Sequence, residues 1–295
     1  MIIVKLQGGL GNQLFQYALG RTLSLRKKTG LKFDVSSLEK NVPEITKREY
    51  ALSVFAIQEN FATEKEIAKF QKYKRKPGRK WFLYNKLIAD NKKYFQEQQF
   101  HFDKKVFDIS NDCYLEGWWQ TEKYFKDIED TIRKEIVVKI PLSGKNSEMA
   151  ENISSSNSVA LHIRRGDYIS NPQNIDYFGN LGPNYYKKAV EIIAEKFPNP
   201  HLFVFSDDHD WVKKNIVLPY LTTYVDHNDT DKNYEDLRLM SMCKHFVIAN
   251  SSFSWWGAWL AQNPNKIVIG PKKWFNNVKK NVKTDDIMPE EWTRI

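Results

Sequence analysis

The chain has 295 residues, of which 41% are hydrophobic and 14% aromatic, so it can build one large core or two ordinary ones and is not a disordered protein. No stretch approaches the roughly 20 apolar residues that cross a bilayer, and the first residues lack the order of a signal peptide. Its two cysteines, Cys113 and Cys243, exclude a disulfide framework and offer no zinc-type spacing. We therefore expect a cytoplasmic protein.

The net charge of +9 is concentrated in the basic run Lys72–Lys80. Such a run can contact anionic lipid headgroups, a phosphorylated partner or nucleic acid, or it can be a solvated loop. Aromatic interleaving is limited to Tyr73, which argues against nucleic-acid binding. A peripheral contact with the inner face of a membrane remains open.

The first part of the chain has the pattern of a βαβ unit, in which short apolar segments alternate with helical ones. It predicts a strand over residues 2–6, a glycine turn at Gly8–Gly11, a helix over 12–28 and a second strand at Leu31–Asp34. Residues 40–150 are basic and aromatic, and their periodicity is too poor to assign elements.

Five buried strands are predicted in the second half of the chain, and polar residues or glycine follow most of them. These strands span residues 159–163, 202–205, 222–225, 246–249 and 266–269, with helices over 184–196 and 234–243. The polar stretch 143–158 predicts a domain boundary. We expect an α/β protein of two Rossmann-like domains facing a cleft, residues 1–150 and 151–295.

The glycine turn resembles a phosphate-binding loop, because glycines let the backbone approach a ligand and a helix N-terminus favours anions. Gly9 and Gly11 fit a dinucleotide fingerprint, and Asp34 stands at the spacing that NAD binding requires. The third glycine position is Leu14. The pattern therefore leaves open both phosphate binding and a plain tight turn.

Two adjacent arginines end the first strand of the second half, in the sequence His162–Tyr168. Buried arginines are costly unless they meet anions, and a guanidinium can hold a diphosphate with two hydrogen bonds. Successive residues leaving a strand point in opposite directions. We expect one arginine to face the ligand and the other to brace the loop, with Asp167 as its partner.

The segment Asn250–Trp256 follows another predicted strand and begins a helix, so its small hydroxyl residues can cap the helix or bind phosphate. We interpret its tryptophans as core residues. Asp229 and Asp231 form an Asp-x-Asp pattern that can hold a divalent cation, but their place ahead of a helix favours capping. No metal is expected.

Taken together, these segments resemble the bacterial α-1,2-fucosyltransferases of glycosyltransferase family 11. The resemblance runs in the family's order from residue 1 to about residue 260 and is carried by 8–17, 162–168, 205–208 and 250–256. A further segment, Leu115–Gln120, resembles a family block of less certain role. The resemblance implies a GT-B fold, GDP-fucose as donor, inversion at the anomeric carbon and no metal or other cofactor.

The same resemblance implies which residues bind and react. Arg164 would hold the β-phosphate and stabilise the departing GDP. An inverting transfer needs a base for the acceptor hydroxyl, which the sequence does not identify: Asp167 is a candidate because it is near Arg164, and Asp34 and Asp176 are alternatives. The donor would also be bound by His162, Ser251, Ser252 and Phe253, by Asp236 at the guanine edge, and by Gly9, Gly11, Asn12 and Gln13. Residues 151–295 would bind GDP-fucose and residues 1–150 the acceptor.

The activity that the resemblance implies is transfer of fucose to the 2-hydroxyl of a terminal galactoside, as in O-antigen biosynthesis. The enzyme alternative is an NAD-dependent oxidoreductase, supported by Gly9, Gly11 and Asp34, which leaves the arginines unexplained. A basic nucleic-acid-binding protein is the third hypothesis. The sequence does not identify the acceptor glycan or the oligomeric state.

Overall fold

The computed structural model describes residues 1–38, 48–166, 172–277 and 282–295. Its contacts divide the chain into two compact units. The first comprises Met1–Val137 with Val282–Ile287, and the second comprises Val138–Asn281 with Met288–Ile295. Each unit has its own parallel β-sheet, so the predicted α/β class is confirmed.

The first unit contains a four-stranded sheet in the order β2-β1-β4-β3, with every described pair parallel. Its strands are β1 (Ile2–Lys5), β2 (Leu31–Asp34), β3 (Tyr94–Gln96) and β4 (Cys113–Glu116). Its helices are α1 (Leu10–Arg26), α2 (Glu64–Gln71), α3 (Phe82–Leu87) and α4 (Glu129–Glu135).

Helix α1 is buried along most of its length and lies against β1 and β2. It begins at Leu10 rather than at the predicted residue 12, because Gly9 is extended and forms the N-cap. The segment that the sequence could not order supplies β3 and β4. These strands have only three and four residues, too few for a clear alternation of apolar and polar side chains.

The second unit contains a six-stranded parallel sheet in the order β10-β9-β8-β5-β6-β7. Its strands are β5 (Ser158–Ile163), β6 (His201–Ser206), β7 (Thr222–Tyr224), β8 (His245–Val247), β9 (Val268–Gly270) and β10 (Thr293–Arg294). Its helices are α5 (Lys145–Ser155), α6 (Pro172–Phe178), α7 (Pro183–Lys196), α8 (His209–Asn215), α9 (Asn233–Met242) and α10 (Ser252–Leu260).

The units divide after Val137, whereas the sequence places the boundary at residue 150. Helix α5 explains the difference, because it packs against α9 and therefore belongs to the second unit. The chain also returns to the first unit near its end. There the Asp286 carboxylate accepts hydrogen bonds from the Phe102 backbone N–H at 3.0 Å and the Lys123 ammonium at 2.6 Å.

Candidate functional site

The strand order of the second sheet reverses at the neighbouring strands β5 and β8. From β5 the chain continues to β6 on one side, and from β8 it continues to β9 on the other. The loops after these two strands therefore diverge, and ligands of open α/β sheets bind at such a point. His162 near the end of β5 and Phe253 beyond β8 meet here, with ring centroids 5.7 Å apart.

The His162 side chain is buried, and its Nδ1 atom has no hydrogen-bond partner among the described residues. Burial lowers the pKa of His162 to about 4, the Arg164 charge lowers it as well, and the Asp207 carboxylate acts in the opposite direction. The imidazole is therefore neutral at pH 7. It can offer one N–H donor to a ligand without adding a positive charge.

Arg164 is positioned by Asp207, which follows β6. The Arg164 Nη1 atom lies 2.7 Å from Asp207 Oδ2, and both side chains are about a quarter exposed, at 25% and 26%. The other oxygen of Asp207 accepts the Arg165 backbone N–H at 2.8 Å. Space is tight here, since a Cβ atom on Gly166 would lie 2.5 Å from Asp207 Oδ2. One carboxylate thus fixes both the guanidinium and the turn.

Arg165 makes the bracing contacts expected of one of the two arginines. Its Nε donates to Asp208 Oδ2 at 3.1 Å, and its guanidinium carbon lies 3.5 Å from the centroid of the Trp211 ring. The other oxygen of Asp208 caps α8 through the Trp211 N–H at 3.2 Å. Asp208 therefore joins the loop to α8. Asp167, the partner that the sequence suggested, lies outside the described residues.

The segment after β8 is anchored at its start and opens into α10. Asn250 donates from its amide to the carbonyls of Phe178 at 2.8 Å and Trp274 at 3.0 Å. The Ser251 hydroxyl accepts the Phe253 N–H at 3.3 Å and so caps α10, while Ser252 is the first helical residue. The tryptophans on α10 are buried in the core, as the sequence predicts: Trp255, Trp256 and Trp259.

Asp236 lies on α9 in a polar cluster. Its carboxylate accepts a hydrogen bond from Asn228 Nδ2 at 2.7 Å, and Asn228 is bonded in turn to Asn146. Burial raises the pKa of Asp236 to about 7, and the Glu235 charge also raises it, whereas the Asn228 bond opposes the shift. This carboxyl group can therefore gain or lose a proton near neutral pH.

In the first unit, the predicted glycine turn leads from β1 into α1. Gly8 has a φ of 76°, and a Cβ atom on it would lie 2.5 Å from Asn12 Nδ2. Asn12 Oδ1 accepts from Gln120 Nε2 at 2.7 Å. Gly9 is the N-cap of α1, and the buried Gly11 lies in the first turn of that helix rather than in the glycine turn.

The Gln13 side chain is buried, and its amide bonds to the backbone of the glycine turn and of the segment around residue 50. It donates to the carbonyls of Gly8 at 2.9 Å and Glu49 at 2.8 Å, and it accepts the Ala51 N–H at 2.9 Å. Gln13 thus holds the turn against the segment around residue 50.

Glu97 is a functional candidate that the sequence did not reveal. It accepts the backbone N–H groups of Trp118 at 2.6 Å and Trp119 at 3.1 Å, which orders the segment after β4. Burial raises its pKa to about 7 although these two bonds lower it. Glu97, Trp119 and His101 line a cavity of about 30 Å³. No sequence signal marks Glu97, because its partners are backbone groups some 20 residues away in an irregular segment.

The other two carboxylates that the sequence offers as candidate bases, Asp34 and Asp176, are both hydrogen-bonded. Asp34 is buried and accepts from the Tyr114 hydroxyl at 2.5 Å, and Asp176 accepts from Asn277 Nδ2 at 2.8 Å.

The prediction that Asp229 or Asp231 caps a helix is wrong. Asp229 precedes a single 3₁₀ turn, and neither that turn nor α9 has a side-chain cap.

Among the described residues, no group of three or more His, Cys, Asp or Glu side chains is placed to hold a metal ion. In that same part of the chain, no helix is long and apolar enough to cross a membrane.

The sequence profile of the family described as "Glycosyl transferase family 11" matches residues 1–295. The chain belongs to glycosyl transferase family 11. An α-1,2-colitosyltransferase of Escherichia coli is 34% identical over 303 residues, covering 100% of this chain and 99% of that protein. The O-antigen biosynthesis glycosyltransferase WbnK of Escherichia coli is 32% identical, covering 95% of this chain and 97% of that protein.

Among solved structures, a mutant of Arabidopsis thaliana FUT1 in complex with GDP has a similar fold. The TM-score is 0.54 at 9% identity, over 90% of this chain and 69% of that chain. The predicted GT-B type is confirmed, as is the prediction that this family 11 protein is a glycosyltransferase. A match over the whole chain leaves the oxidoreductase and nucleic-acid-binding hypotheses without support.

Proposed function

We propose that this family 11 enzyme transfers fucose from GDP-fucose to the 2-hydroxyl of a terminal galactoside, with inversion and without a metal ion. The observation that carries the proposal is the meeting of His162 and Phe253 at the β5–β8 switch point, in a chain that matches the family from end to end. The names of the two Escherichia coli relatives support an α-1,2 linkage and a role in O-antigen biosynthesis.

In this proposal the diphosphate lies between the loop after β5 and the N-terminus of α10. Arg164, oriented by Asp207, stabilises the negative charge that develops on the leaving GDP. The Ser252 backbone N–H and the hydroxyl of Ser251, whose oxygen accepts the Phe253 N–H, add dipoles at the N-terminus of α10 that favour an anion. The neutral His162 donates a hydrogen bond to the donor.

Three further roles concern the guanine ring, the proton of the acceptor hydroxyl and the first unit. Asp236 reads the guanine edge, for which an ionised carboxylate is suited because guanine presents adjacent N–H donors. Asp167 accepts the proton of the acceptor hydroxyl. Gly9, Gly11 and Asn12 contribute from the start of α1 and the glycine turn before it, which Gln13 holds in place, and the first unit binds the acceptor.

Colitose is a second candidate for the transferred sugar. The relative that is 34% identical over the full chain is named for transferring it. Colitose is fucose without the 3-hydroxyl group, so the two donors differ in a single polar group. A site that hydrogen-bonds the 3-hydroxyl would reject colitose strongly, whereas a site that leaves it unpaired would accept both sugars.

The test supplies GDP-fucose or GDP-colitose with β-galactoside acceptors in the presence of EDTA, and it determines product linkage by NMR. The proposal predicts an α-1,2-fucosylated galactoside. Faster turnover with GDP-colitose would keep the reaction class and replace the donor. The proposal would be contradicted if neither donor supported transfer to any of the galactosides, or if transfer strictly required added Mg²⁺ or Mn²⁺.

A further inference from the structure

Residues 72–88 form a surface segment of the first unit that is closed on itself by hydrogen bonds. The Tyr84 hydroxyl donates to the Lys72 carbonyl. The Asn85 side chain accepts the Lys76 N–H at 2.9 Å and donates to the Lys76 carbonyl at 2.7 Å. These contacts fasten α3 to the basic run, so the 72–88 segment presents both as one surface.

Helix α3 has its apolar side chains on the outside. At about 100° per residue, Tyr84 and Asn85 lie on the face that contacts the basic run, and Phe82, Leu83 and Leu87 lie on the opposite face. The exposed fractions of these three side chains are 66%, 67% and 76%. No residue of α3 is buried. A helix on a protein surface normally turns its apolar face inward, so this reversed arrangement indicates a binding surface.

The same segment carries a dense positive charge. Residues 72–89 contain no Asp or Glu and have Lys or Arg at positions 72, 74, 75, 76, 79, 80 and 86. Lys74 pairs with Glu116 at 2.6 Å, whereas Arg79 and Lys80 are exposed beside the apolar face. The Lys76 ammonium lies 4.0 Å from the Trp81 ring centroid, so the aromatic groups are part of the same surface.

We propose that the 72–88 segment docks on an anionic lipid bilayer, with α3 lying in the interface and Phe82, Leu83 and Leu87 inserted among the acyl chains. Apolar insertion and a surrounding basic rim are the two contributions that together give peripheral membrane binding. Trp81 and Tyr84 then lie at headgroup depth, where amphipathic aromatic rings concentrate in membrane proteins.

Charge complementarity favours a bilayer over the other occupants. In a symmetric dimer through this surface, two copies of the same basic segment would face each other and repel. Nucleic acid would satisfy the charge but leave Leu83 and Leu87 in water, because aliphatic side chains offer no stacking surface for bases.

The experiment measures co-sedimentation of the full chain with vesicles of phosphatidylcholine alone or mixed equally with phosphatidylglycerol. Binding is expected only to the anionic vesicles. The triple variant Phe82→Ser, Leu83→Ser, Leu87→Ser should weaken that binding at least about tenfold, since it removes most of the insertable apolar area. The variant Arg79→Gln, Lys80→Gln should reduce the dependence on phosphatidylglycerol and on salt.

A matched control comes from the second unit, where Val217 and Leu221 are 82% and 68% exposed. The variant Val217→Ser, Leu221→Ser should bind vesicles like the wild type. Melting temperatures and light-scattering masses of all variants show whether folding or assembly has changed. The proposal is overturned if the wild type does not bind anionic vesicles, if both serine variants bind equally well, or if the triple variant converts a dimer into a monomer.

Discussion

Arg164 and Arg165 are neighbours in the chain, yet their surroundings give them different tasks. The Arg164 side chain is a quarter exposed, is oriented by Asp207 and lies just after β5, beside the switch point. Arg165 is only 11% exposed and lies between Asp208 and the Trp211 ring. Substitutions at the two positions should therefore separate catalysis from stability.

Arg164→Lys should lower kcat at least about 100-fold and leave the melting temperature within about 2 °C of wild type. A lysine keeps the charge but loses the fork that can bind a phosphate and Asp207 together. Steady-state kinetics with GDP-fucose and a differential scanning measurement of the same preparation check both parts. Near wild-type kcat would remove Arg164 from the proposed reaction.

Arg165→Ala should have the reverse effect and destabilise the enzyme by about 1–2 kcal/mol, because it removes the stacking on Trp211 and the contact with Asp208. The predicted change in the melting temperature is a fall of roughly 2–6 °C. Arg164→Lys serves as the matched control. An unchanged melting temperature would show that the loop is held without Arg165.

Asp236 should make GDP affinity depend on pH. Burial raises its pKa to about 7, so lowering the pH below that value protonates the carboxylate that would accept hydrogen bonds from guanine. The affinity for GDP should therefore fall by up to about tenfold per pH unit as the pH drops below 7. Above pH 7 the affinity should level off. His162 does not titrate in this range, because burial lowers its pKa to about 4.

Asp236→Asn is the control for this titration, because GDP has an ionisable phosphate of its own. Calorimetric titrations of both proteins between pH 5 and 8.5 isolate the contribution of Asp236 as their difference. Parallel curves for the two proteins would mean that Asp236 does not contact the nucleotide.

At the scale of elements, α9 and α10 cross where glycine permits close contact. A Cβ atom on Gly257 would lie 2.4 Å from Met240 Sδ and 2.7 Å from its Cγ. This crossing fixes α10, whose N-terminus forms one side of the proposed donor site. The contact between Gly257 and Met240 therefore sets how closely α10 packs on α9.

Gly257→Ala should destabilise the second unit by about 1–3 kcal/mol, since the added methyl group overpacks a buried contact although alanine favours helix formation. Gly30→Ala is the control, because nothing lies within 4 Å of a Cβ atom there. Denaturant titration measures both. Adding Met240→Ala should make the Gly257→Ala change less costly, and strictly additive effects would count against the overpacking explanation.

The sequence predicts elements well where one physical signal dominates. Strands β5, β6, β8 and β9 of the second unit are largely apolar and buried, and their predicted positions agree with the structure to within about two residues. The half-buried β7 is also found where the sequence predicts it, whereas the short, exposed β10 carries no apolar signal and is not predicted. Helix α5 is different, because only Ala150 and Ile153 are buried and its polar composition resembles a linker. Its place is set by packing on α9, which a local pattern does not contain.

At the scale of the whole molecule, two α/β units follow from the alternation of strands and helices, and the motifs after parallel strands predict one edge of each sheet. The contacts between distant segments of the chain do not follow from this alternation or from these motifs. Three contacts depend on tertiary neighbours that a local pattern does not contain. Asp208 braces Arg165, Glu97 orders the segment after β4, and Asp286 bonds the end of the chain to the first unit.

We propose that the β5–β8 switch point of the second unit binds a guanine sugar nucleotide without a metal. This proposal is tested most directly by thermal shift with GDP, GDP-fucose, UDP and NAD, each with EDTA and with Mg²⁺. We expect stabilisation by GDP and GDP-fucose that persists in EDTA, is absent with UDP and NAD, and is smaller in Arg164→Lys. Stabilisation by UDP or NAD alone, or no shift with either guanine nucleotide, would contradict it.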